Sequence, residues 1–205
     1  MTYEQLKGRK AGRIEDKAIL RYAVVCALVE VDGQDHVLFE KRSEKLKRQP
    51  GEICFPGGKR DGDESALENA VRETVEELAV GRDQVEVIAQ MDTMATVYNN
   101  EVDVFLVRLH DYQMTFGSEE VEEVFTVPLT FFLENEPDIY QNKVRIEVAE
   151  DFPLDKIPGG RGYKWRTGRQ NVYFYEYEGR IIWGLTAYIM HSVVDIMKKE
   201  CQDGQ

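Results

Sequence analysis

Disulfide frameworks, zinc fingers and membrane spans all need residues that this chain lacks. Its 205 residues include only 3 Cys and 3 His. Cys26, Cys54 and Cys201 are far apart in sequence and form no C-x-x-C pair, which excludes a closely spaced zinc site and a disulfide scaffold. That usage implies a reducing cytosol. Long apolar runs are missing too: YAVVCALVEV ends well short of the roughly 20 residues a bilayer-spanning helix needs, so no membrane partner is expected. The opening MTYEQLKGRKAGRIEDK has no apolar core of a secretory signal, and the final KKECQDGQ carries no peroxisomal or retention address. Positive charge is in deficit, with a formal net charge of −12, which argues against nucleic acid as a partner. Phosphate-binding G-x-x-x-x-G-K-[ST] loops, nucleophile elbows and dinucleotide fingerprints are all absent. With no repeat and no Gly/Ser linker, one domain over residues 1–205 is expected, residues 1–18 forming an N-terminal extension.

What is present is enough apolar material for a core, 42% of the chain, beside 31% charged residues. The charge is unevenly spread. Residues 1–60 carry a net +4 and the remainder −16, with Lys41, Arg42, Lys45, Lys47, Arg48, Lys59 and Arg60 gathered around a glycine-rich segment. That gathering suits a small phosphate-bearing ligand, or else a solvated loop. ILRYAVVCALVEV (19–31) reads as a buried strand, and Asp32-Gly33 as a turn into HVLFEKR. Residues 44–63, rich in Gly and Pro, read as irregular. A helix is expected from Glu64 to Val80, capped by Asp63 and closed by Gly81. Leu67, Val71, Thr74, Val75 and Leu78 form its inward stripe, leaving Glu73, Glu76 and Glu77 on the outward arc. VEVIAQMD, EVDVFLVRLH, KVRIEV and NVYFYEYEG read as strands, PLTFFLE as a short helix, and residues 181–199 as a C-terminal helix. The interleaving predicts an α/β fold with a mixed sheet covered by helices; residues 149–170 read as an insertion-like loop.

The chemistry concentrates in GKRDGDESALENAVRETVEELAV (58–80). Glu73, Glu76 and Glu77 sit three and four apart, where like charges repel by about 0.2–0.5 kcal/mol per pair. Hard carboxylate oxygens in that density suit Mg²⁺ or Mn²⁺. A solvated acidic face accounts for VEEL alone, but not for Gly58, Glu64 and Arg72 at their fixed offsets. The set resembles the Nudix box, G-x5-E-x7-R-E-U-x-E-E-x-G-U (U, bulky aliphatic), at Gly58, Glu64, Arg72, Glu73, Glu76, Glu77 and Val80; Thr74 and Ala79 depart from it. Upstream, LFEKRSEKLKRQPGEICFPGG resembles the extended motif of the coenzyme A pyrophosphatase branch, LLTxR[SA]-x3-R-x3-G-x3-FPGG. Arg42, Ser43, Gly51, Phe55, Pro56, Gly57 and Gly58 match it; Lys47 replaces an arginine, and Phe39-Glu40 replace its Leu-Thr.

The resemblance implies a Nudix-like α/β/α sandwich and metal-dependent hydrolysis of a nucleoside diphosphate linkage. It implies Mg²⁺ or Mn²⁺ held by Glu73, Glu76, Glu77 and the Gly58 carbonyl, with Arg72 holding the carboxylates. Arg42, Ser43, Lys47, Gly57 and Gly58 would contact the substrate, and a glutamate beyond the box would act as base or extra ligand. Glu119, Glu120, Glu122 and Glu123 are candidates, Glu123 preferred. The small-molecule partner implied is coenzyme A or a derivative, cleaved to 3′,5′-ADP and 4′-phosphopantetheine. ADP-ribose, dinucleoside polyphosphates and oxidised nucleotides are the alternative substrates, a non-catalytic nucleotide sensor is the alternative class, and a homodimer is left open. His36, His110 and His191 are unpaired and read as structural, as do Tyr163, Trp165 and the YFYEY run.

Overall fold

Strand β1 (Leu20–Val31) shows why the sheet of this computed structural model is covered on both sides. Its odd-numbered residues Ala23, Val25, Ala27 and Val29 enter one core, while Cys26 and Leu28 enter the other. A continuous apolar run is what a strand buried on two faces requires. The structure describes residues 7, 8, 10, 19–117 and 119–203; the expected extension over 1–18 falls almost wholly outside them.

Asp32 and Gly33, at φ 50° and 77°, turn the chain into β2 (Gln34–Arg42), antiparallel to β1. Both central residues lie at positive φ, as the tightest hairpin turn demands. The segment expected to be irregular holds two short strands, β3 (Ile53–Cys54) on β2 and β4 (Gly57–Lys59) on β1. Helix α1 (Ala66–Leu78) follows. Then come β5 (Val85–Gln90), β6 (Met94–Ala95) and β7 (Asn100–Leu109), the last pairing parallel with β1. Such a parallel pairing needs a crossover, which α1 supplies. β8 (Val121–Pro128) returns along β2 and leads into α2 (Leu129–Glu134). Together β1 to β8 form one mixed sheet. A separate antiparallel sheet contains β9 (Asp138–Val144), β10 (Gly168–Tyr177) and β11 (Arg180–Trp183), and α3 (Gly184–Asp203) closes the described chain.

The layers are α/β/α, as expected. Ala70, Val71 and Leu78 of α1 pack on one face of the large sheet with Leu38, Phe105 and Val107. On the other face Phe39, Phe55, Phe125, Phe132 and Tyr175 pack with Ile182, Met190 and Val194. Several boundaries differ from expectation. β9 lies upstream of KVRIEV, ending at Val144. The C-terminal helix begins at Gly184 rather than 181, because Ile181–Trp183 pair with β10. Here alternation and helical spacing make the same demand on Ile182, the buried member. Within 149–170, Phe152 and Tyr163 each pack edge-on against Trp165.

Candidate active site

Helix α1 starts where its backbone donors find acceptors. Ser65, not Asp63, is the N-cap: its Oγ accepts from Glu68 N–H at 3.2 Å, and the Glu68 carboxylate accepts from Ser65 N–H at 3.0 Å. This reciprocal pair is a capping box. At the other end Ala79, not Gly81, closes the helix in the left-handed region, φ 51° and ψ 45°. Thr74, standing where the family pattern has a bulky aliphatic, is fully buried, and its hydroxyl donates to Ala70 O at 2.7 Å. That bond removes the penalty of burying the hydroxyl. The loop after β7 seals the helix end: Thr115 Oγ1 donates to Leu78 O, and Gly117 N–H to Glu77 O, both at 2.8 Å.

The three box glutamates do not share one exposure. Glu76 is exposed and Glu73 half-buried, while Glu77 is only 7% exposed. The outward arc expected for all three is therefore wrong for Glu77, which turns under the helix toward β4. Its Oε2 accepts from Gly57 N–H at 2.8 Å. Strand pairing explains that donor. Val25 N–H donates to Pro56 O and Arg60 N–H to Arg21 O. Alternation along the ladder then makes Ala23 and Gly58, registered opposite each other, the bonded pair between them. Gly57 and Lys59 thus turn their backbone groups from β1 toward α1, where Asn69 donates to Lys59 O at 3.2 Å. The backbone of Gly58, whose carbonyl is expected as a ligand, falls on the β1 side of that ladder, while the Gly57 N–H faces Glu77. Gly57 sits at φ 139°, and a Cβ there would meet Ala23 O at 2.3 Å. A Cβ on Gly58 would lie 2.8 Å from the Glu73 carboxylate carbon. Both glycines bring backbone and carboxylates close together.

Arg72 organises the outer part. Its guanidinium reaches Glu64 at 3.2 and 3.3 Å, Glu73 at 2.8 Å and Glu76 at 3.2 Å. These anions push its pKa further up, the bonds to Glu64 and Glu73 first. Within the site, Glu77 is pushed up to about 9, by burial first and then by the charge of Glu40, against the lowering bond from Gly57.

Glu40 is a residue that sequence reasoning passed over. It is 1% exposed on β2, accepts from the Cys54 thiol at 3.2 Å through Oε1, and leaves Oε2 buried without a partner. Burial first, with Glu120 and Glu73 adding, raises it to about 7. The signal available was its departure from the Thr of the family motif.

Other expected site residues separate. Arg42 lies on the Glu40 side of β2, close enough for its charge to lower the Glu40 pKa. Ser43 is 6% exposed, and its hydroxyl accepts from Lys45 N–H in the turn that follows β2. Lys47 is exposed on the following loop. Glu123 pairs with Lys41 in register and forms an ion pair with Arg180. Both line a cavity of about 570 Å³ on the aromatic face, with Phe125, Phe174 and Trp183. Of the candidates beyond the box, Glu120 is the one whose charge reaches Glu77 and Glu40. Its carbonyl accepts from Ser43 N–H at 2.8 Å. The histidines stay apart: His36 bonds Thr126, His110 pairs with Glu86, and His191 lies by Glu136 and Asp195.

A donor set of carboxylate oxygens is that of a hard divalent cation. Two buried carboxyls, one with an unpartnered oxygen, also fit one, since burial without a counter-charge costs several kcal/mol. Among the described residues no three acidic, Cys or His side chains stand within reach of a single ion as they lie, and Arg72 is the group that occupies Glu73 and Glu76.

Comparison with known proteins points the same way. The family model described as NUDIX domain matches residues 19–146. The chain is 38% identical over 136 residues to the peroxisomal coenzyme A diphosphatase NUDT7 of Mus musculus, covering 64% of this chain and 56% of that protein. It is 31% identical over 175 residues to a Nudix hydrolase named NudL of Yersinia enterocolitica, covering 84% of this chain and 79% of the relative. A MutT/nudix family protein from Enterococcus faecalis superposes with a TM-score of 0.52 at 12% identity, over 95% of this chain and 67% of that one. That last likeness concerns the fold alone.

Proposed function

The chain belongs to the Nudix family, and from that premise we propose that it hydrolyses the diphosphate bridge of coenzyme A or a derivative. The observation that carries the chemistry is Glu77 buried against the Gly57 amide, with Glu73 packed on Gly58 beside it. The substrate reading draws on Arg42 beside the carboxylates, on the matching upstream motif, and on the printed activity of the mouse relative.

Glu73, Glu76 and Glu77, with a backbone carbonyl of the Gly57-Gly58 strand, would hold Mg²⁺ or Mn²⁺, and Glu120 would approach from its loop in place of Glu123. A divalent cation bound there polarises diphosphate oxygens, neutralises developing charge and acidifies a water. Arg72 keeps Glu73 and Glu76 oriented while no ligand is bound. The Gly57 amide fixes one oxygen of Glu77, so that carboxylate enters the site with little freedom to lose. Arg42, with its Nε buried and unpartnered, offers its charge to a substrate phosphate. A carboxylate takes a proton from the attacking water, whose oxygen bonds to phosphorus as the P–O–P bridge opens. The products are 3′,5′-ADP and 4′-phosphopantetheine. Cysteine usage makes a reducing cytosol the proposed compartment, while the mouse relative is named as peroxisomal. Among the described residues, no helix is long and apolar enough to cross a membrane.

Mass spectrometry of the products formed from coenzyme A with Mg²⁺ tests this reading. Both products appear, at a kcat/KM above that for ADP-ribose, a dinucleoside polyphosphate or an oxidised nucleotide. Far more efficient cleavage of those compounds overturns the substrate; no Mg²⁺-dependent cleavage of any of them, with nucleotide still bound, overturns the enzyme and favours a nucleotide sensor.

A further inference from the structure

Glu40 has no ordinary structural reason to be where it is. Strand β2 alternates, so that Val37 and Phe39 enter the aromatic core while Leu38 faces α1. Glu40 continues the Leu38 row, at a place where an apolar residue would simply extend the α1 core. It is instead a carboxylate with 1% of its surface exposed. Beyond Leu38, β2 leaves β1 and pairs with β3, Glu40 standing opposite Cys54; β1 pairs with β4, Val24 standing opposite Gly57. Residues 53–59 therefore serve both strands where they diverge. In this gap the chain presents two donors to two carboxylates, the Cys54 thiol to Glu40 Oε1 and the Gly57 amide to Glu77 Oε2.

The two bonds leave different remainders. Among the described residues, no cation comes within ion-pairing distance of Glu40, and its Oε2 has no partner. A thiol is a weak donor, far short of what a buried carboxylate needs. The groups whose charges reach Glu40 are mostly anions, Glu73 and Glu120, with Arg42 opposing them; Glu77 in turn feels Glu40 more than any other charge. Packing alone gives no reason for a buried, unpartnered oxygen on a carboxyl that feels these acids. A small cation among them would satisfy that oxygen and the repulsion together.

We propose that Glu40 is an additional carboxylate of the cation seat, offering Oε2 to the divalent ion directly or through a bound water, while Cys54 holds Oε1. It rests on the cation reading given above and adds to it a group that lies outside the Nudix box, on a strand behind the helix. Its consequence is a seat richer in negative charge than the helix alone provides, and so a tighter hold on the ion before substrate arrives.

The test is Mn²⁺ binding to the full chain, followed by electron paramagnetic resonance of the free ion and without substrate. Glu40→Gln keeps the shape and an acceptor for Cys54 but removes the charge. The expected result is about 10- to 100-fold weaker Mn²⁺ binding, the range found when a group supporting a metal site is removed. The metal-free variant melts no lower than the parent, and Mn²⁺ raises its melting temperature less. Glu40→Thr, placing the family's residue there, gives the same loss of affinity and guards against a folding defect peculiar to Gln. Parent-like Mn²⁺ affinity in either folded variant overturns the assignment of Glu40 while leaving the box glutamates as ligands. No Mn²⁺ binding by the parent chain overturns both readings.

Discussion

The two faces of the large sheet are built for different ends. On the α3 face Phe39 stacks on Phe55 and Phe125, with ring centroids 5.0 and 5.7 Å apart, and Phe132 meets Tyr175 edge-on at 5.0 Å. On the α1 face the apolar residues are mostly Ala, Val and Leu, and among them Glu40, Asn69, Thr74 and Glu77 are all buried. Aromatic packing contributes area and about 0.5–1.5 kcal/mol per pair beyond it. Buried carboxylates cost stability unless something of opposite charge arrives. The aromatic face holds the fold while the other face keeps buried carboxyl groups without a counter-charge at the foot of a glycine-lined strand.

Substitutions on each face should therefore separate activity from stability. Glu77→Gln removes a charge from the α1 face, and turnover with saturating Mg²⁺ falls by roughly 10²–10³-fold, since a metal's contribution is several kcal/mol at about 1.4 kcal/mol per decade. Steady-state assays with coenzyme A measure this; parent-like turnover would remove Glu77 from the machinery. Phe132→Ala, at a fully buried position, has the opposite character: denaturant melts show a loss of about 3–5 kcal/mol, while Mn²⁺ affinity of the folded protein is unchanged.

These buried carboxyls give the metal-free protein a characteristic pH response. The Glu77 carboxyl rises from 4.5 to about 9 and Glu40 from 4.5 to about 7 on folding. Between those limits the native state holds more protons than the unfolded chain, so stability falls as pH rises through the window. Thermal melts in a chelator show a decline from pH 5 to 9, and Glu77→Gln flattens it. A melting temperature that climbs over that range would mean these carboxyls are not buried as described. The smallest effect concerns the helix end. Ala79→Gly relieves a left-handed alanine and raises stability by about 0.5–1 kcal/mol, equivalent to about 1–4 °C in a domain of this size. No gain would show that Ala79 carries little strain.

The same division governs what could be read from the sequence. The motif residues Gly58, Glu64, Arg72, Glu73, Glu76 and Glu77 were legible because their spacing is a property of one helix and the loop before it. The depth of Glu77 was not, because a helical wheel has no knowledge of β4 reaching beneath the helix. The ladder parity that commits Gly58 and frees Gly57 depends on β1, far away in sequence, and the strands at 53–54 and 57–59 are too short for any periodicity. Glu123 and Glu120 sort to different environments because a register shift lies between Lys41 and Arg42 on the partner strand. Glu40 sat in VLFEKR as an unremarkable charge at a strand end. Residues 147–203 lie beyond the matched family region, and there the strands and the helix start were displaced by several residues.

The most direct trial of the account is anomalous diffraction at the manganese edge from crystals soaked in Mn²⁺ and a non-hydrolysable coenzyme A analogue. Manganese is expected among Glu73, Glu76 and Glu77, with a backbone carbonyl of the Gly57-Gly58 strand and the diphosphate alongside. A diphosphate seated elsewhere, for instance in the cavity between Lys41 and Trp183, with no manganese at α1, would contradict it.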